Sequence, residues 1–221
     1  MARPVITLSR QLMRQIQFDW RIEWRGVASG TAFNGNSAYV VNALPRWIGT
    51  PQFVTARSAL AHWRATIAQM QGRHGTMLID MCEPAAFGTQ AGAYKANGLP
   101  FANGTYLTTG KGIELERTVR AHRPAARGAT SILVTDDVPG VGQIMSHDDW
   151  PFMVTFVTAL EGGVYEIGVQ MPLRRAIAQG DTIRMQGRGL FEVTDEAQGW
   201  ASYGLDRVAT PSISLQEVLN R

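Results

Sequence analysis

The chain has 221 residues, 45% of them hydrophobic and 18% charged, with a formal net charge of +3. That length supports one large or two small domains with a proper core, and the apolar fraction excludes a wholly disordered chain. No run approaches the roughly 20 apolar residues needed to span a bilayer. Residues 1–18 carry arginines but no continuous apolar core, so no secretory signal is expected. A solitary Cys82 allows no intrachain disulfide and fits synthesis in a reducing cytoplasm.

In chain order, residues 14–25 alternate Ile16, Phe18, Trp20, Ile22 and Trp24 with polar side chains, the pattern of a strand with one buried face. Arg21 and Arg25 share the outer face with Asp19 and Glu23. A mixed-sign face is a poor phosphate track, so this is a core strand rather than a nucleic-acid surface. A glycine-rich turn from Gly26 to Gly35 leads to a strand near residues 37–41. The stretch Leu44–Asp80 then reads as a strand, one amphipathic helix over about 56–71, a glycine stop and a second strand. Thr55 is the expected N-cap, and Leu60, Trp63, Ile67 and Met70 form one apolar stripe at spacings of three and four. Gly72 supplies the left-handed stop. A lone helix with one apolar face must lie on a sheet, which places Trp47 and Trp63 beneath it and assigns Trp20 and Trp24 to the core.

Residues 84–112 are short of charge and crowded with Gly, Ala, Asn and Thr, a long stretch without clear periodicity. Tyr94, Leu99, Phe101 and Tyr106 are out of place on a purely solvated linker, so the segment reads as an arm that docks on another subunit. Residues 113–221 read as β throughout. The expected strands are 113–119, 131–135, a hairpin of 152–160 and 164–171 turning on Glu161-Gly162-Gly163, then 182–186, 190–193 and an edge strand at 212–218. The expected fold is therefore mainly β (α+β), with sandwich or barrel-like strands and one helix packed on the sheet. Its expected division is a β domain at 1–83, the arm at 84–112 and a β domain at 113–221.

No catalytic signature stands out: Gly-X-Ser-X-Gly, Walker A and Rossmann fingerprints are absent, and Gly110-Lys111-Gly112 is too short for a phosphate loop. His147-Asp148-Asp149, with Asp136 and Asp137, is the richest polar cluster. It lacks any recognised calcium-loop spacing, and paired acids beside Pro and Gly usually mark turns. Cys82 with His62 or His74 lacks the spacing and the third orienting group that nucleophilic catalysis needs. His122 reads as solvated in a Pro/Arg loop. The expectation is no catalytic, metal or cofactor site. Trp200, in a Gln-Gly-Trp-Ala loop, is the most exposed tryptophan candidate and is reserved for an interface or ligand. Charge is uneven along the chain: residues 1–80 carry a balance of +6 and residues 131–217 a balance of −7. That asymmetry would favour opposite faces meeting in a stack or ring, or it reflects charges scattered over each surface.

Trp47, the helical Trp63 and Gly72-Arg73-His74-Gly75-Thr76 resemble tail proteins of long-tailed, non-contractile phages and prophage-like particles. The resemblance continues through Tyr165–Arg174, with its terminal Pro-Leu-Arg, then Gly180-Asp181-Thr182-Ile183 and Leu190-Phe191-Glu192-Val193. It covers about two thirds of the chain and is most similar to distal tail or tail-tip structural proteins. It implies a virion protein made in the host cytoplasm, a homo-oligomer of six subunits. Such a ring contacts tail tube and tail-tip or hub proteins around a channel through which genomic DNA passes without specific binding. An acidic second unit lining that channel would suit it. The alternative is a monomeric β-sandwich module recognising carbohydrate or a receptor through Trp200 and the Gly/Asn-rich arm.

Deleting Tyr94–Phe101 is expected to leave a folded subunit that assembles poorly. Unchanged assembly, measured by sedimentation, would refute the docking-arm reading.

Overall fold

A computed structural model describes residues 3–8, 12, 16–17, 19–31, 37–40, 44–56, 58–81, 105, 117–196, 198–202 and 208–221. The protein is mainly β, with one helix among these residues. In chain order the strands are β1 (Val5–Thr7), β2 (Ile16–Gln17), β3 (Trp20–Glu23), β4 (Val27–Thr31), β5 (Ser37–Val40), β6 (Arg46–Gly49), β7 (Gln52–Phe53) and β8 (Thr55–Ala56). Helix α1 (Ser58–Met70) and β9 (Thr76–Asp80) follow. Then come β10 (Thr118–Ala121), β11 (Ser131–Thr135), β12 (Ile144–His147), β13 (Trp150–Ala159), β14 (Tyr165–Gln170), β15 (Thr182–Arg184), β16 (Arg188–Val193), β17 (Val208–Ala209) and β18 (Leu215–Glu217).

The chain forms two compact units, Met1–Asp80 with Leu190–Arg221, and Met81–Gly189. The first is built on a six-stranded sheet in the order β1-β9-β16-β18-β6-β3. The C-terminal residues, expected to belong with 113–221, instead supply two interior strands to this sheet. Segment 212–218 is accordingly not an edge: β18 lies antiparallel between β16 and β6. The cause is burial on both strands, since Phe191 and Val193 of β16 and Leu215 of β18 are all core residues.

The long strand expected over 14–25 breaks in two. β2 pairs with β7, while β3 pairs with β6 from Trp20↔Gly49 to Glu23↔Arg46. Trp20 is half-buried with its ring 4.7 Å from that of Phe191. Trp24 is not a core residue: it lies past the last β3 pair and is 46% exposed, and Arg25 then turns the chain at φ 52°. The expected turn over Gly26–Gly35 also gives way in part, because Val27–Thr31 forms β4 and pairs with β5.

The helix begins at Ser58. Thr55 is therefore not its cap; it is fully buried in β8 and donates its hydroxyl to the Ala209 carbonyl at 3.3 Å. Leu60, Trp63, Ile67 and Met70 are all buried, as the spacing requires, and Trp47 is fully buried in β6. Trp63 stacks at a tilt on Phe53, centroids 4.1 Å apart, and its indole N–H donates to the Gly199 carbonyl at 2.7 Å. Gln71 and Gly72 both take positive φ, and the Gly75 N–H closes the end on the Met70 carbonyl at 2.8 Å. A Cβ at Gly75 would stand 2.6 Å from that carbonyl oxygen, so the loop accepts no larger residue.

The second unit is a closed barrel of six antiparallel strands, β10-β11-β14-β13-β12-β15. Alternate residues of each strand fill it, among them Val119, Val134, Met145, Phe152, Ile167 and Ile183. The hairpin read from sequence is β13–β14, and Gly162 and Gly163 at its tip take φ of 73° and 74°. Residues 113–116 and all of 84–104 lie outside the described residues.

Trp63→Ala is expected to cost about 3–5 kcal/mol, the usual loss for a fully buried aromatic, measured by denaturant unfolding. Trp63→Phe, which keeps most of the ring, should cost clearly less.

Candidate functional site

Of the polar residues singled out in the sequence, His147, Asp148 and Asp149 lie at one end of β12 and β13. His147↔Trp150 is the last pair of this hairpin, leaving Asp148 and Asp149 as a two-residue turn. Both have positive φ, 49° and 61°, as such turns demand, and aspartate tolerates that region better than most side chains. Each carboxylate has a nitrogen partner. Asp148 accepts from Arg175 at 3.0 Å, Asp149 accepts from Arg188, and Asp181 lies 3.2 Å from His147 Nε2. Asp181 also accepts the Ala178 N–H at 2.8 Å, closing the turn before β15. The Arg174 guanidinium sits 5.6 Å from the centroid of Trp150, a cation–π distance. A shallow surface depression, open to solvent, runs beside His147, Trp150, Phe152, Leu173 and Arg174.

Chemically this cluster is a set of paired polar groups, two of them arginine–aspartate ion pairs. A hard cation would have to displace arginine from Asp148 and Asp149, and no described group of three or more His, Cys, Asp or Glu is placed to hold a metal. Arg117 with Asp137 and Arg120 with Asp136 repeat the pattern along β10. These pairs fix turns to neighbouring strands; the exposed ones, Arg175–Asp148 and Arg120–Asp136, contribute little to stability.

A second polar knot lies in the first unit and was not legible in the sequence. Arg3 donates to the carbonyls of Arg73 and His74, each at 3.0 Å, and to the Glu192 carboxylate at 2.6 Å. Glu192 also accepts from Gln216 at 2.8 Å. Burial pushes the Glu192 carboxyl up, but the hydrogen bonds from Arg3 and Gln216, with the charges of Arg3 and Arg73, outweigh it and hold it below its ordinary value of 4.5. Glu217 is a further buried carboxylate: its Oε2 accepts the Trp47 N–H at 3.1 Å, where the β18–β6 ladder ends.

Of the residues reserved for an interface, Trp200 is 58% exposed. Tyr94, Leu99, Phe101 and Tyr106 lie outside the described residues, as does Cys82. His62 and His74 are exposed. No described helix is long and apolar enough to cross a membrane. The charge asymmetry does not survive sorting by compact unit. The first unit has eleven arginines against eight carboxylates, and the second has ten lysines and arginines against ten carboxylates. The acidic residues 192–217 belong with the basic N-terminal strands, so the second unit carries no net charge. Compared with known proteins, the chain matches no family model and no curated sequence at a significant level.

Because the folded Glu192 carboxyl is held low, its contribution to stability is present above the ordinary carboxylate range and lost as pH falls through the lowered value. Acid unfolding followed by circular dichroism is expected to show a shallower acid limb in Glu192→Gln than in the wild type. Identical limbs would remove the Arg3–Glu192 pair from the account.

Proposed function

We propose that this chain is a structural subunit of a phage or prophage-like tail. In this reading identical copies form a ring between the tail tube and the tail tip or baseplate, around a channel that conducts DNA. The observation that carries the reading is a pair of apolar clusters among the exposed large hydrophobics. Val27, Tyr39 and Val40 stand on one hairpin, and Phe156 with Leu160 at the far end of another. Apolar side chains on strand ends and hairpins suit β-mediated assembly between subunits.

The residues that carry the resemblance support it with structural roles. Gly72 and Gly75 end the helix, Leu173 packs into the barrel core, Gly180-Asp181 turns into β15, and Phe191 and Val193 are buried on β16. The second unit's balanced charge leaves the channel wall without an acidic lining from that source. Six copies, the tube and hub neighbours and virion location remain part of the proposal. A second reading, a carbohydrate- or receptor-binding module, is favoured by Trp200 alone, whose exposed ring follows Gly199 at φ 84°.

Cryo-electron microscopy of particles carrying this chain tests the first reading. A symmetric ring at the tube–tip junction is expected. Peripheral or irregular occupancy would overturn it and favour the module, for which Trp200→Ala should abolish binding to a glycan array.

A further inference from the structure

Strand β13 is paired unequally on its two edges. On one side β14 accompanies it to the end, Ala159↔Tyr165. On the other, β12 pairs with Trp150–Met153, and the Val154 backbone bonds Gly142 and Gln143 at 2.8 and 2.9 Å. The register shifts between Val154 and Phe156, and beyond that bulge no described strand lies on this edge. The open run Thr155–Leu160, Thr-Phe-Val-Thr-Ala-Leu, has no charge, and Phe156 and Leu160 are each 44% exposed. A Cβ at Gly168, the cross-strand partner of Phe156, would collide with the Phe156 ring, so that ring lies flat over the sheet with its outer face open. Edge strand β3 differs, because the ion pairs Arg21–Asp19 and Arg46–Glu23 guard it with charge.

The β4–β5 hairpin poses the converse problem. It has two strands and no third among the described residues. Val27, Tyr39 and Val40 are 65%, 58% and 62% exposed, and no residue from Gly26 to Val41 is charged. A two-stranded ribbon alone in water is marginal. Both features are exposed and neither has a further strand among the described residues, and each matches the other. One is an uncharged edge lacking a strand, the other an uncharged ribbon lacking a third strand.

We propose that the open edge of β13 at Thr155–Leu160 accepts the β4–β5 hairpin of a second copy, extending the barrel sheet across a head-to-tail contact. Backbone pairing supplies the ladder, and Val27, Tyr39 and Val40 cover Phe156 and Leu160 with no ion desolvated. Two different surfaces meet, so the contact repeats into a ring or a filament rather than ending at a pair. It deepens the homomeric ring reading and rests on the chain's binding its own kind, but its test needs no tail.

The test is sedimentation of the purified full chain with two lysine variants, Thr158→Lys/Leu160→Lys on the edge and Val27→Lys/Val40→Lys on the hairpin. All four positions are exposed, and thermal unfolding checks that each variant keeps its fold. The wild type should self-associate. Each variant should need roughly tenfold or more higher concentration to do so, since an ammonium would be buried unpaired. An equimolar mixture should form a heterodimer and nothing larger, because one intact edge meets one intact hairpin. Thr158→Glu should act as the edge lysines do. Association untouched in both variants would overturn the contact and leave the ring reading standing. A mixture that stays monomeric would overturn its head-to-tail character, and a wild type monomeric at every concentration would overturn it altogether. Failure of the ring reading shows separately, in the position of the chain in particles.

Discussion

The constraint on which this structure depends is that every strand edge needs a backbone partner, because an unpaired N–H or C=O shut away from water is costly. The chain meets that need in three ways. The second unit closes its six strands into a barrel. The first unit brings the C-terminal strand back between β16 and β6, so that the N-terminal strands are completed by the last residues of the chain. Where that ladder ends, the buried Glu217 carboxylate takes the Trp47 N–H in place of a carbonyl. Among the described residues, the distal half of β13 and the β4–β5 hairpin lack a further strand, and they expose Phe156 and Leu160, and Val27, Tyr39 and Val40.

Within each unit, charged side chains pair locally. Arg3 spans the helix-terminal loop and β16, and the turn acids Asp148, Asp149 and Asp181 each meet an arginine or histidine. Arrangements of this kind hold loops in register. In the proposed assembly, backbone edges and apolar contact, not long-range attraction between oppositely charged units, would bring copies together.

Elements with a strong local signal were legible in the sequence. The helix stripe of Leu60, Trp63, Ile67 and Met70, the glycine stop, the Gly162-Gly163 hairpin and the turn nature of Asp148-Asp149 all follow from spacing and backbone chemistry. What depends on partners far apart in the chain was not legible. Alternation marks a strand but not its neighbour, so β18 read as an edge and the C-terminal residues were assigned to the wrong unit. Trp24 continued an alternating pattern that the backbone abandons at Arg25, and Thr55 looked like a cap because its cross-strand partner, Ala209, lies 154 residues away. Of the polar sites, the acid turn was visible as a motif. The Arg3 knot, built on two backbone carbonyls and a carboxylate 189 residues away, left no local signal.

The central proposal is that the open edge of β13 and the β4–β5 hairpin are assembly surfaces. Amide hydrogen exchange tests it most directly, by comparing the free chain with its assembled form. The account predicts fast exchange at Thr155–Ala159 and along β4 and β5 in the free chain, with strong protection of both on assembly. Exchange at these amides that assembly leaves unchanged would contradict it.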